Sequence, residues 1–182
     1  EYKVIKHILN SAGIERFTDY QMDMVRLGIG LYGVSASGQK GLRNISTLKT
    51  TILQIQNVPA GDSIGYSRMS YVKRDSRIAI IPIGYADGLD RHFSNGGGEV
   101  VINGHRCPII GNICMDACMI DVTDTDAHEG DSVIIFGEEL PVSELSDKLQ
   151  TIPYEIVTSI SPRVKRVYYR EYISGGPILS QT

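Results

Sequence analysis

From Ile45 onward, short β-branched runs alternate with glycine, proline and asparagine turn residues. That punctuation limits the segment to many short strands and argues for a small β-barrel or sandwich. Leu48 to Val58 alternates in part and is rich in Thr and Ile, and Pro59-Ala60-Gly61-Asp62 then forms a turn. Arg77 to Ile83 is a continuous β-branched run, long enough for a buried strand and short for a helix. Within Glu99 to Ile110, two apolar runs flank Asn103-Gly104. Both residues of that pair accept positive φ, so they predict a hairpin. Ile113 to Val122 and Ser132 to Phe136 are further strands, and Val164 to Tyr169 is a last one. Two short helices interrupt the pattern. Ser143 is placed to cap the first, which carries Leu145 and Leu149 four apart. The second starts near Pro153, a good first-turn residue, and puts Ile152, Ile156, Val157 and Ile160 on one face. Ser161-Pro162 ends it, because the residue before proline is disfavoured in the α region.

Residues 1–34 read differently. Lys3 to Leu9 and Met24 to Leu27 are short apolar runs that open into Asn10-Ser11-Ala12-Gly13 and into the glycine-rich Gly28 to Gly33. Two short buried strands, each leading into such a loop, suit the last strands of a truncated α/β (TIM) barrel. The expected organisation is therefore a barrel remnant over 1–34 and a polar, glycine-rich linker over 35–44. A mainly β domain over 45–173 and a loose tail over 174–182 follow. The first residue is Glu1 rather than Met, so a piece of a longer protein is expected.

Composition removes several function classes. A 182-residue chain with 42% hydrophobic residues can bury a full core. Net charge is −3, the sequence pI is near 5.8, and no basic stripe carries interleaved aromatics, so no nucleic-acid partner is expected. No segment approaches the roughly 20 apolar residues that span a bilayer, so no membrane partner is expected either. The cysteines, Cys107, Cys114 and Cys118, are odd in number, which favours a reducing compartment over a disulfide framework. Together with His105 they lack the paired spacing of a structural zinc site, and buried strand positions explain them more simply. Asp121, Asp124, Asp126 and Glu129 lack the calcium-loop register and read as a solvated turn. No metal is expected.

Gly28-Ile29-Gly30-Leu31-Tyr32-Gly33 has the form G-x-G-x-x-G after a strand. A dinucleotide site would want an acidic residue about 20 positions further on. That stretch is Thr50-Thr51-Ile52-Leu53-Gln54, which removes the dinucleotide reading. What remains is the physics of closely approaching backbone amides, which hold phosphates. Ser11, at the end of the neighbouring strand, can add a hydroxyl to the same phosphate.

These blocks carry a resemblance. Asn10-Ser11-Ala12-Gly13 with Met24-Val25-Arg26-Leu27-Gly28-Ile29-Gly30-Leu31-Tyr32-Gly33 resembles the barrel end of alanine racemases. Downstream, Gly65-Tyr66-Ser67 precedes Ile83-Gly84-Tyr85-Ala86-Asp87-Gly88, with Tyr66 lying 19 residues before Tyr85 as in the family. Then come Gly111-Asn112-Ile113-Cys114-Met115-Asp116 and Ile152-Pro153-Tyr154-Glu155. All are in family order and close to family spacing, from about His7 to Arg166.

The resemblance implies pyridoxal phosphate, held by Ser11, by the amides of Gly28 and Ile29, and by the Tyr154 hydroxyl. It implies that Arg26 faces the pyridine nitrogen, a task suited to a guanidinium that cannot give up its proton. Tyr66 is implied as one of two catalytic bases, on the face opposite a lysine. A free tyrosine has a pKa of about 10, so a tyrosine base needs a neighbouring cation, which the family supplies from its barrel. Met115 is implied to bind the substrate carboxylate through its backbone N–H, and Tyr85, Arg91, Asp116 and Ile152 to lie around the access channel. Tyr66, Tyr85 and Met115 should then share one exposed face. Asn112 stands where the family often has arginine, a departure that bears on the charge of the channel mouth and not on the chemistry.

The resemblance further implies an isomerase interconverting L- and D-alanine for peptidoglycan supply. It implies a cytoplasmic location and a homodimer in which one subunit lends its tyrosine to the partner's barrel. The family's catalytic lysine is expected before Glu1, since Lys3 and Lys6 precede Asn10-Ser11 too closely. The 182 residues alone are therefore expected to be inactive and not to bind the cofactor. The resemblance leaves two parents open, a free-standing alanine racemase and one fused behind a Mur ligase domain. Alternatives are a racemase for a larger amino acid, a basic amino-acid decarboxylase, and a non-catalytic dimerisation or regulatory domain. The decarboxylase reading is weakened by the presence of Cys114-Met115-Asp116, and the non-catalytic reading by retention of both Tyr66 and Met115.

Overall fold

The computed structural model describes residues 2–38, 41–68, 70–170 and 178–180. Its strands are β1 (Leu48–Thr51), β2 (Gln54–Val58), β3 (Ser63–Ile64), β4 (Ser70–Tyr71), β5 (Ser76–Ile81), β6 (Glu99–Ile102), β7 (His105–Ile110), β8 (Cys118–Asp121), β9 (Ser132–Phe136), β10 (Tyr168–Arg170) and β11 (Ile178–Ser180). Its α-helices are α1 (Ser11–Arg16), α2 (Val142–Lys148) and α3 (Pro153–Ser159).

One seven-stranded sheet runs in the order β1-β9-β6-β7-β8-β5-β2. Every neighbouring pair in it is antiparallel. The two edge strands, β1 and β2, are separated in sequence only by Ile52 and Leu53. Three peptide links span at most about 11 Å, so the far edges of the sheet must come together. The sheet therefore curls into a barrel-like wall. Ile52 and Leu53 sit at the seam: Ile52 N–H donates to Asp131 O at 3.0 Å and Leu53 N–H to Ile80 O at 2.9 Å. The inside is filled by Ala79, Ile81, Val100, Ile102, Ile109, Ile120, Val133 and Ile135, with Leu140, Leu145 and Ile156 closing it from the helices. A smaller apolar cluster of Ile64, Val72 and Ile78 packs the β3–β4 ribbon on the outer side.

The mainly β class and the two downstream helices match the sequence reading. So does the Asn103-Gly104 hairpin, where φ is 49° and 77° at the two residues and β6 pairs with β7. Several local expectations are corrected. Leu48 to Val58 is two strands on opposite edges, since the chain crosses the seam in its middle. The Ile113 to Val122 strand shrinks to β8, because Ile113 to Ala117 turns back on itself, with Cys114 N–H donating to Ala117 O at 2.9 Å. Ser143 does not cap α2. The N-cap is Pro141, and Ser143 lies inside the helix, its carbonyl accepting from Ser146 Oγ. Ile152 stays exposed rather than joining the buried face of α3, since it is the cap residue before the helix begins. Val164 to Tyr169 is a turn followed by β10, after Val164 N–H donates to Ser161 O. In the expected tail, Ile178–Ser180 is not loose but pairs with β10. The rest of that tail lies outside the described residues.

The first 34 residues keep one trace of a parallel sheet. His7 and Met24 form a parallel bridge, Asp23 N–H donates to Lys6 O, and Arg26 N–H donates to Leu9 O at 2.9 Å. Between them the chain crosses over through α1, the connection that parallel strands require. Burial was expected for both strands, yet Val4, Ile5, Ile8, Met24 and Leu27 are exposed. Two parallel segments supply neither sheet neighbours nor helices for both faces, so these side chains have nothing to pack on.

Candidate active site

Three distant stretches of chain meet at the C-terminal ends of the two parallel segments. Asn10 caps α1, its Oδ1 accepting from Gly13 N–H at 3.0 Å, and this fixes Ser11 in the first turn, where it is buried. Ser11 Oγ accepts from Gly28 N–H at 2.9 Å and from Gly30 N–H at 3.4 Å. Tyr154, in the first turn of α3, brings its hydroxyl from 125 positions away to accept from Ile29 N–H at 3.0 Å. Three successive amides thus converge on two hydroxyl oxygens.

Glycine at position 28 allows this approach, since a Cβ there would lie 2.8 Å from Tyr154 Oη. Hydroxyls rotate to donate as readily as they accept, so the same five groups can surround an anion as donors. Arg26 sits at the same strand end, and its Nη2 donates to Ile8 O at 2.8 Å. The donor set and the glycine cradle fit a phosphate, with a cation beside it.

A second group of residues gathers on the β domain. Tyr66 opens the 3₁₀ turn Tyr66–Arg68 at the tip of the β3–β4 ribbon and is 74% exposed. Gly65, at φ 74°, lets this turn close onto the Gly111-Asn112 backbone; a Cβ there would lie 3.2 Å from Met119 Cε and 3.6 Å from Asn112 N. Side-chain amides then bracket the turn. Asn112 Nδ2 donates to Tyr66 O at 3.4 Å, Asn95 Nδ2 donates to Asn112 Oδ1 at 3.0 Å, and Ser70 Oγ donates to Asn95 Oδ1 at 2.6 Å. Ser70 and Asn95 were not legible as site residues in the sequence. Asn95 carries a signal only in hindsight, as an asparagine before Gly96 that adopts φ 55°.

From Asn112 the chain leads straight to Met115, which is joined to Tyr85 through the backbone. Tyr85 N–H donates to Cys114 O and Ala86 N–H to Met115 O, both at 3.0 Å. Gly84 makes this contact possible, since a Cβ on it would meet Cys114 O at 2.3 Å and Met115 O at 2.4 Å. The Arg91 guanidinium lies 6.0 Å from the centroid of the Tyr85 ring, and both line a cleft of about 410 Å³ with Glu155 and Ser159 of α3. Asp116 pairs with Arg163, which also pairs with Asp87. Burial pushes the Asp87 carboxyl up, but the Arg163 hydrogen bond, the Gly84 amide and the Arg163 charge outweigh it. The net result is a carboxyl held below its ordinary range.

Tyr66, Tyr85 and Met115 are therefore linked by a continuous path and all exposed. Ser11, Gly28, Ile29 and Tyr154 are gathered separately. Among the described residues no hydrogen bond joins the two groups directly. Helix α3 serves both, carrying Tyr154 for the cradle and lining the cleft beside Tyr85, with the exposed Ile152 at its cap. No group of three or more His, Cys, Asp or Glu that could hold a metal ion occurs among the described residues. Burial raises the thiols of Cys107 and Cys118 to about 11 and about 12.

Comparison with known proteins agrees with the resemblance. The family profile described as "Alanine racemase, C-terminal domain" matches residues 45–168, and "Alanine racemase, N-terminal domain" matches residues 1–36. Alanine racemase 1 of Caldanaerobacter subterraneus subsp. tengcongensis is 43% identical over 183 residues, covering 96% of this chain and 47% of that protein. Among solved structures, the alanine racemase from Bartonella henselae with covalently bound pyridoxal phosphate superposes with a TM-score of 0.86 at 39% identity. That match covers 92% of this chain and 47% of the other. Alanine racemase of Clostridium difficile 630 in complex with cycloserine gives a TM-score of 0.83 at 40% identity, covering 90% and 45%. This chain spans less than half the length of these relatives. With both family profiles matched in order, the chain belongs to the alanine racemase family.

Proposed function

We propose that this chain carries the end of the cofactor barrel and the β domain of a pyridoxal-phosphate-dependent alanine racemase. The observation that carries this reading is the cradle of Gly28, Ile29 and Gly30 amides with the Ser11 and Tyr154 hydroxyls. In it, Ser11, Gly28, Ile29 and Tyr154 hold the cofactor phosphate. Arg26 faces the ring nitrogen and, being always protonated, leaves that nitrogen an acceptor. When bound, the cofactor supplies an electron-withdrawing ring that makes the α-proton of a bound amino acid acidic. Tyr66 moves a proton at that carbon on one face, and the family's lysine, which has no counterpart among these residues, serves the other. The Met115 N–H binds the substrate carboxylate. Tyr85, Arg91, Asp116 and Ile152 line the path to the site, where Asn112 contributes an amide in place of a charge.

The separation of the two groups supports a homodimer in which Tyr66 serves the partner's cradle. A tyrosine that is 74% exposed at a ribbon tip has the reach for this role. The relatives are named for alanine, which favours that substrate over a larger amino acid. The product would be D-alanine for peptidoglycan, made in the cytoplasm. The test is a racemisation assay with added pyridoxal phosphate on the 182-residue chain and on its full-length parent. The reading expects an inactive chain and an active parent that loses most turnover on Tyr66→Phe. A parent indifferent to Tyr66→Phe would leave only a scaffold.

A further inference from the structure

We infer that Arg163 is a positioning residue of this site, setting where the Met115 amide stands. The inference rests on the alanine racemase reading above. Met115 and Tyr85 lie on two segments, 114–116 and 84–87, that are joined by backbone hydrogen bonds. Arg163 closes a bracket across both. Its Nε donates to Asp87 Oδ1 at 2.7 Å and its Nη2 to Asp116 Oδ1 at 2.6 Å. The far oxygen of Asp87 accepts from Gly84 N–H at 2.9 Å, at the residue packed against the Cys114 and Met115 carbonyls. A second tie holds Arg163 in place, since Ser161 N–H donates to Asp87 O at 3.0 Å and Ser161 Oγ accepts from Arg163 N–H at 3.4 Å.

Arg163 lies four residues past the end of α3, whose first turn carries Tyr154 of the cradle. One short helix and the turn after it thus reach both the cofactor phosphate and the substrate segment. The Asp87 side chain is only 14% exposed, whereas those of Asp116 and Arg163 are 64% and 46% exposed. Ion pairs this accessible add little stability. Their consequence is geometric: a rigid guanidinium aims two donors in fixed directions, one at each carboxylate, which a lysine cannot do.

The test uses the full-length parent. Arg163→Lys keeps the charge and loses the fork, and Asp116→Asn cuts one arm. Each is expected to raise KM for alanine about tenfold with kcat within about twofold, the pattern of lost ground-state binding. The double variant should be no worse than either single one. Inhibition by propionate, which is alanine without its amino group, should weaken in step with KM, while the thermal midpoint and cofactor affinity stay put. Unchanged KM and propionate binding in both variants would overturn the clamp. So would a KM rise matched by loss of thermal stability, which marks a merely structural role. If Arg163→Lys fails to fold, Asp116→Asn carries the comparison. Tyr66→Phe run in parallel separates the levels. Retained racemisation in that variant brings down the Tyr66 assignment, and an unsubstituted parent that does not racemise alanine brings down the racemase reading itself. Loss of racemisation in Tyr66→Phe, with wild-type behaviour of the Arg163 and Asp116 variants, brings down the clamp alone.

Discussion

At the scale of single residues, the cradle depends on what is missing at Gly28. A methyl there would stand 2.8 Å from Tyr154 Oη, so Gly28→Ala in the full-length parent must displace the tyrosine or the amide. Cofactor affinity is expected to fall by about tenfold or more, read by titration of cofactor absorbance. Tyr154→Phe removes one hydroxyl and leaves the backbone intact, so its loss should be smaller. The Asp87 carboxyl gives a pH prediction with a definite sign. Its folded-state pKa lies below the ordinary value, so its contribution to stability is present above about pH 4 and is lost as pH falls through the folded pKa. Acid unfolding followed by circular dichroism should show this limb, and Asp87→Asn should flatten it. The raised thiols of Cys107 and Cys118 predict that neither reacts with iodoacetamide at pH 8 until the β domain unfolds, which peptide mapping would show.

At the scale of elements, turns decide the fold. Gly104 has φ 77° with open space around it, so Gly104→Ala costs backbone strain alone, about 1–2 kcal/mol, measurable by urea denaturation. Ile120, fully buried on β8, is a contrasting case in which Ile120→Ala should cost about 2–5 kcal/mol through the cavity left behind. The hairpin at Asn103-Gly104, the strand near Arg77 and the helix from Pro153 were legible because each rests on a local rule that the rest of the protein does not override. The crossing at Ile52-Leu53 was not, because a strand that changes edges keeps its composition and changes only its partners. Helix α1 was missed as well: six residues opening in Ser-Ala-Gly carry little propensity, and the Asn10 cap reads equally well as a turn. Ser11, Tyr66, Met115 and Tyr154 were named through the family resemblance, and the amides and carboxylates around them depend on contacts across the chain. Ser70, Asn95 and Arg163 reach the site from elements tens of residues away, and no spacing in the sequence announces them.

At the scale of the whole molecule, two groups of candidate residues lie on one chain. Tyr66, Met115 and Tyr85 are exposed on the β domain, while the N-terminal parallel segments carry the amide–hydroxyl cradle and Arg26 beside exposed apolar side chains. On the proposed reading each half is completed from elsewhere, the tyrosine by a partner's cradle and the cradle by a lysine and the rest of a barrel. The central claim is that Tyr66 handles the α-proton on one face only. Overall racemisation cannot reveal this, because the equilibrium between mirror images ties kcat/KM in the two directions together. The direct measurement is α-deuterium incorporation into L- and D-alanine, each incubated separately in heavy water with the full-length parent carrying Tyr66→Phe. The account predicts that one enantiomer still exchanges while the other does not, and that racemisation is largely lost. Equal exchange of both enantiomers with racemisation intact would contradict it.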